Sequence, residues 1–181
     1  DGDLVIDGVK TWCTLAGRAD VLMLMARTDT DRSKAHRGVS MFLVPKPRAD
    51  GHYFRFVQPD GGVLEGRAID TIGYRGMHSF EVSFDRWRLP ADHLVGGDAG
   101  LGRGFYMQMA GFDNGRLQTA ARAVGLMQAA YEAACGYSAN RVVFGRRLNV
   151  FELTQVKLTR MAAAIQAIRQ STYQVAKLLG R

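Results

Sequence analysis

Asn140-Arg141-Val142-Val143-Phe144-Gly145 interrupts an otherwise continuous helical pattern, and its reading decides the fold. Upstream, Leu117, Ala120, Ala121, Val124, Met127, Tyr131 and Ala134 recur at the three- and four-residue spacing of one buried helix face. Downstream, Leu158, Met161, Ala162, Ile165, Ile168, Val175 and Leu179 repeat that spacing. The pattern predicts two long helices joined by a short connection, Arg141 to Val150, in which Gly145 takes a positive φ and Asn149 turns the chain. Read alone, Arg141, Arg146 and Arg147 also suit a solvated basic turn, since cations are favourable near a helix C-terminus.

Before the helices the chain reads as strands. Val21–Ala26 and Val39–Val44 are apolar runs of strand length. Tyr53 to Gln58 alternates, and Pro59-Asp60-Gly61-Gly62 is turn chemistry. Phe80, Val82 and Phe84 alternate with Glu81, Ser83 and Asp85 until Pro90 ends the run. The expected fold is α+β, an antiparallel β-sandwich or barrel followed by a helical hairpin. Gly96 to Gly104 is glycine-rich but lacks dinucleotide-loop spacing, because Phe105 stands where the third glycine belongs. It is expected to be a flexible link between the two parts.

Composition narrows the classes. The 181 residues, 47% hydrophobic, suffice for a core. The longest apolar run falls far short of the roughly 20 residues a membrane-spanning helix needs. The formal charge of +7 comes from scattered lysines and arginines with no nucleic-acid motif, so a phosphate-bearing ligand or an acidic partner accounts for it. Cys13 and Cys135 lie in unrelated contexts, which indicates neither a disulfide framework nor a metal site. A reducing compartment is the default, cytoplasmic or mitochondrial matrix. An acidic start without an initiator methionine, and an end at Gly180-Arg181 just after a strong helical pattern, suggest a piece of a longer chain.

The order Arg141-x-x-Phe144-Gly145, then Phe151 and a long amphipathic helix, resembles the acyl-CoA dehydrogenase family of flavoenzymes. Trp12-Cys13-Thr14 resembles that family's tryptophan-x-threonine signature. Ile72-Gly73-Tyr74-Arg75-Gly76 and Leu89-Pro90-Ala91-Asp92-His93-Leu94-Val95-Gly96 look like its segment leaving the β-domain. The resemblance implies residues 1–97 as the later part of the middle β-domain and residues 98–181 as the first helices of a C-terminal four-helix-bundle domain. It implies FAD as cofactor, held by Trp12, Cys13 and Thr14 at the flavin ring. Arg141, Val142, Val143, Phe144, Phe151 and Glu152 would reach the FAD of a neighbouring subunit in a homotetramer or homodimer. Phe112, Asp113 and Arg116 would meet the acyl-CoA substrate.

The implied activity is α,β-dehydrogenation of an acyl-CoA thioester, with electrons passed to an electron-transfer flavoprotein. Gly115 stands where one branch of the family carries its catalytic glutamate, so the base is expected beyond Arg181. Glu132 matches neither position of the base and reads as a surface residue. Glu152 replaces a glutamine common near the flavin and cannot donate as an amide does. Trp12-Cys13-Thr14 together with Gly115 is similar to short, branched or dicarboxylic acyl-CoA members. Two other readings stay open: the same scaffold used for another flavin reaction, an oxidase or an elimination, and a non-enzymatic helical assembly module.

Overall fold

The computed structural model describes residues 3–73 and 76–180, which leaves Tyr74 and Arg75 of the Ile72–Gly76 motif outside the described residues. The chain divides into two compact units, Asp1–Gln108 and Met109–Arg181.

Among the described residues of the first unit, six strands form two antiparallel sheets. They are β1 (Leu4–Thr14), β2 (Val21–Arg27), β3 (Val39–Pro45), β4 (Tyr53–Val57), β5 (Val63–Ile69) and β6 (Ser79–Leu89). One sheet has the order β1-β6-β5-β4 and the other pairs β2 with β3. Their inner faces share one core, in which Leu24, Phe42 and Val44 from the small sheet meet Phe54, Leu64, Phe80, Val82 and Phe84 from the large one. The sandwich follows from the alternation seen in the sequence: Phe80, Val82 and Phe84 are buried, while Glu81 is exposed and Ser83 half-buried.

The strand register contains two features that alternation alone misses. In β6 the buried side chains change parity after Phe84, so that Trp87 and Leu89 face inward. A bulge causes the change. Ile6 pairs with Trp87 and Gly8 with Phe84, so Asp7 faces two residues, and Arg86 (φ 47°) donates its backbone N–H to Asp7 Oδ1 at 2.7 Å. A second bulge lies in β1 between Lys10, paired with Val82, and Cys13, paired with Phe80. It contains Thr11 and Trp12.

Residues 96–104, expected as a flexible link, are instead fastened to β3. Leu94 bridges Phe42, Val95 donates to Met41 O at 2.9 Å, and Gly102 donates to Ser40 Oγ at 2.9 Å. A Cβ at Gly104 would come within 2.5 Å of the Ser40 carbonyl carbon, so the glycines here allow close backbone approach.

The second unit carries most of α1 (Gly104–Asn140), a two-stranded hairpin of β7 (Val142–Val143) and β8 (Arg146–Arg147), and α2 (Glu152–Leu179). Val124 and Ile165 are buried, and Arg169 Nη2 donates to Gln128 Oε1 at 2.9 Å across the two helices. The expected face of α1 holds except at Ala121, which is exposed. On α2 the buried line runs through Leu158, Met161, Ile165, Arg169 and Thr172, whereas Ile168, Val175 and Leu179 are 42 to 47% exposed. Those three form a second stripe. Thr172 can lie on the buried line because its hydroxyl bonds back to Ile168 O at 2.8 Å.

Lys46, at the end of β3, has its ammonium buried. Nζ donates to Gly17 O at 2.7 Å and Pro47 O at 2.9 Å, beside the rings of Phe54 and Phe56. Burial pushes its pKa down, partly offset by Asp20. A lysine whose folded pKa lies below its unfolded value is penalised while charged. Stability should therefore rise with pH from the depressed folded pKa up to the ordinary value near 10.5. Urea unfolding at pH 8 and pH 10 should show this rise in the wild type, and Lys46→Met should flatten it.

Candidate functional site

The β1 bulge presents Trp12 unusually. Its backbone is left-handed (φ 60°), rare for a bulky residue, and its side chain is 64% exposed. Among the described residues the Trp12 side chain is mostly uncovered and lies outside the buried core. It offers a flat apolar wall. Thr14, two residues on, is exposed and its Oγ1 lies 3.3 Å from Ser79 Oγ. Cys13, between them, points inward, packs against the core and has its thiol pKa raised by burial, so it is a packing residue. The strand exit is fixed on both sides, by Leu15 N–H to His78 O at 3.0 Å and by Lys46 on Gly17.

The corner between the helices is a tight hairpin. Val142 pairs with Arg147 and Val143 with Arg146, leaving Phe144 (φ 50°) and Gly145 (φ 74°) as the two turn residues. Two successive positive φ values are those of a type I′ turn, which suits Gly145 and strains Phe144. Phe144 is 91% exposed at the tip. Arg141 is anchored through its backbone, donating to Tyr137 O at 2.9 Å and accepting from Leu148 N at 2.8 Å, with its side chain exposed. Arg146 stacks its guanidinium 5.4 Å from the Phe151 ring centroid, and Glu152 begins α2 exposed. The corner thus gathers Arg141, Val142, Val143, Phe144, Phe151 and Glu152 into one basic, aromatic projection.

Phe112, Asp113 and Arg116 form a separate group on α1. Arg116 Nη1 donates to Asp113 Oδ1 at 3.3 Å, and its guanidinium lies 5.8 Å from the Phe112 ring centroid. Asp113 and Arg116 edge a groove of about 350 Å³ whose other wall is Ile168, Ser171, Thr172, Val175 and Leu179 of α2. A charged rim over an apolar floor can take a ligand that is polar along one side and apolar along the other. The α2 wall was not singled out from sequence, although the offset of Ile168 and Val175 from Ile165 was the available signal. A Cβ at Gly115 would meet nothing within 4 Å, so packing among the described residues does not require glycine there. Glu132, exposed, accepts from Gln128 Nε2 at 2.7 Å.

The two helix groups are far apart. From Asp113 to Arg141 the chain is helical almost throughout, which separates them by about 40 Å. One copy of the chain cannot bring Arg141 to the groove at Asp113. No helix among the described residues is long and apolar enough to cross a membrane.

Comparison with known proteins gives a consistent picture. Residues 1–87 match the model of the acyl-CoA dehydrogenase middle domain, and residues 102–181 match that of the acyl-CoA dehydrogenase C-terminal domain. The chain is 43% identical over 178 residues to (2S)-methylsuccinyl-CoA dehydrogenase of Cereibacter sphaeroides, covering 97% of this chain and 31% of that protein. It is 36% identical to the mitochondrial short-chain specific acyl-CoA dehydrogenase of Bos taurus, covering 98% of this chain and 39% of that protein. Among solved structures, butyryl-CoA dehydrogenase from Megasphaera elsdenii superposes with a TM-score of 0.79 at 32% identity, over 96% of this chain and 41% of that one. The chain spans between about a third and two fifths of the length of these relatives.

Proposed function

The chain belongs to the acyl-CoA dehydrogenase family, and from that premise we propose that its protein carries out FAD-dependent α,β-dehydrogenation of an acyl-CoA thioester, passing electrons to an electron-transfer flavoprotein. Within it, residues 1–97 are the later part of the middle β-domain and residues 98–181 open the C-terminal helical domain. The observation that carries the reading is Trp12. It stands 64% exposed on a strained bulge, and the exposed Thr14 follows two residues later with its hydroxyl 3.3 Å from Ser79 Oγ.

The residues present fit FAD chemically. An isoalloxazine ring needs an aromatic wall and a fixed polar contact, which Trp12 and Thr14 supply. A pyrophosphate needs a planar, permanently charged fork, which Arg141 supplies, with Phe144 extending the apolar contact. Glu152 offers only acceptor oxygens. When bound, FAD supplies the two-electron oxidant that takes a hydride from the β-carbon. Asp113 and Arg116 bind the CoA portion over the α2 groove and so hold the acyl chain in line. Removal of the α-proton is assigned to a carboxylate outside residues 1–181, as the resemblance implies, since Gly115 has no side chain and Glu132 matches neither position of the family's base. The resemblance to the family assigns the corner to the cofactor of a second copy in a homodimer or homotetramer. The similarity to methylsuccinyl-CoA and short-chain enzymes favours a short, branched or dicarboxylic acyl group.

Anaerobic titration of the full-length protein with butyryl-, isovaleryl- and methylsuccinyl-CoA tests the proposal. Bleaching of the visible flavin band by one of them is the expected result. Bound flavin that no thioester bleaches would indicate another reaction on this scaffold, and a protein without flavin would favour an assembly module. Trp12→Gly separates the cofactor role from a structural one. Glycine relieves the left-handed backbone, so stability of the apo-protein should hold or rise by about 1 kcal/mol. Flavin affinity should fall at least tenfold. A loss of stability with unchanged flavin binding would contradict the assignment.

A further inference from the structure

One cluster lies outside everything used so far. His52 immediately precedes β4 and His78 immediately precedes β6. Both strands run antiparallel to β5 and flank it, so both begin at the end of the sheet where β5 runs out into Asp70 and Thr71. β4 and β6 are two strand spacings apart, about 9.5 Å, yet their histidines reach over β5 and meet. The two Nε2 atoms are 3.2 Å apart, and the rings are edge to face at 79°. A hollow of about 410 Å³, lined by His52, His78, Asp70 and Thr71 with Ala68 and Ile69, opens beside them.

We propose that His52 and His78 form a two-imidazole site for a borderline divalent cation of the Zn²⁺ or Cu²⁺ type, its remaining positions filled by solvent from the adjoining hollow. Metal–imidazole bonds of about 2.0–2.1 Å place two ligand nitrogens roughly 2.8–3.0 Å apart at octahedral angles and roughly 3.3–3.4 Å apart at tetrahedral ones, and the 3.2 Å seen lies between. Among the described residues no third His, Cys, Asp or Glu side chain joins the pair, so the protein supplies two nitrogen ligands.

The pair is pre-organised. His52 O accepts from Ala68 N at 2.7 Å and His78 O accepts from Leu15 N at 3.0 Å, so each backbone is pinned to a neighbouring strand or turn. His78 holds a left-handed φ of 36°, strain of the kind found at ligand clamps. The nearby cation Arg18 is paired with Asp50 at 3.6 Å. Without metal, one imidazole donates its Nε2–H to the other. For binding, that proton moves to Nδ1, which leaves both Nε2 lone pairs for the cation with no net change in charge. The cation would then tie β4 to β6 across β5.

The test is a Zn²⁺ titration of the full-length protein against a chromophoric chelator, comparing wild type with His52→Ala, His78→Ala and the more conservative His52→Gln. One saturable equivalent of micromolar affinity is expected, weakened at least tenfold in every variant. Cu²⁺ should give an electron paramagnetic resonance spectrum with nitrogen hyperfine structure that disappears when both histidines are replaced. Far-UV circular dichroism confirms the fold of each variant, and exposed His52 gives a change at which the fold should persist. Coincident isotherms for wild type and His52→Gln, or only non-saturable uptake, would overturn the proposal. Because the readout is metal, it is independent of the flavin titration.

Discussion

Arg141→Ala in the full-length protein is expected to weaken FAD retention about 100-fold, close to 2.7 kcal/mol, while leaving the helical hairpin folded. The fold should survive because the bonds that set the corner are backbone bonds. Alanine keeps the N–H to Tyr137 O and the carbonyl accepting from Leu148 N. What is lost is an exposed guanidinium on a projection that also carries Arg146 and Phe144. Charge-assisted hydrogen bonds to phosphate contribute about 1.5–3 kcal/mol each, so removal of one forked donor accounts for the expected loss. Arg141→Lys should fall between, since it keeps the charge and loses the fork. Equilibrium dialysis with FAD reads both. Wild-type affinity in Arg141→Ala would return the corner to a solvated basic turn.

The largest stability effect is expected at Gly66, where alanine should cost about 3 kcal/mol. Gly66 sits in the interior strand β5, paired with Phe54 on one side and Val82 on the other. A Cβ built there overlaps the Phe54 ring. That ring cannot swing aside cheaply. It is 4% exposed, lies against Phe56 and Phe80, and has the Lys46 ammonium 4.8 Å from its centroid. Displacing Phe54 therefore disturbs the core and the lysine that holds the turn after Trp12. Gly125→Ala is the matched control. It lies within α1 with nothing within 4 Å of its Cβ, and alanine there should stabilise by about 0.5–1 kcal/mol. Chemical denaturation of both variants reads the contrast, and a neutral Gly66→Ala would mean that the sheet gives way locally.

Much of this molecule follows from local sequence. Period-two alternation located Phe80, Val82 and Phe84 on a half-buried strand, and three- and four-residue spacing located the two helices, because those periods are fixed by backbone geometry. The motif Trp12-Cys13-Thr14 and the corner Arg141-x-x-Phe144-Gly145 were legible as residue types in order. Tertiary structure decided what those residues present. The bulges that turn Trp12 outward and Trp87 inward depend on a partner strand with one residue fewer, and pairing partners are not adjacent in sequence. Gly96 to Gly104 reads as flexible by composition but is fastened to Ser40 of β3 through Gly102, just after Val95 bonds to Met41. The stripe of Ile168, Val175 and Leu179 separated from the Ile165 face only once α1 fixed which side of α2 is covered. His52 and His78 stand 26 residues apart and mean nothing together in one dimension. The sheet order makes them neighbours, because two strands that run the same way on either side of β5 must begin at the same end.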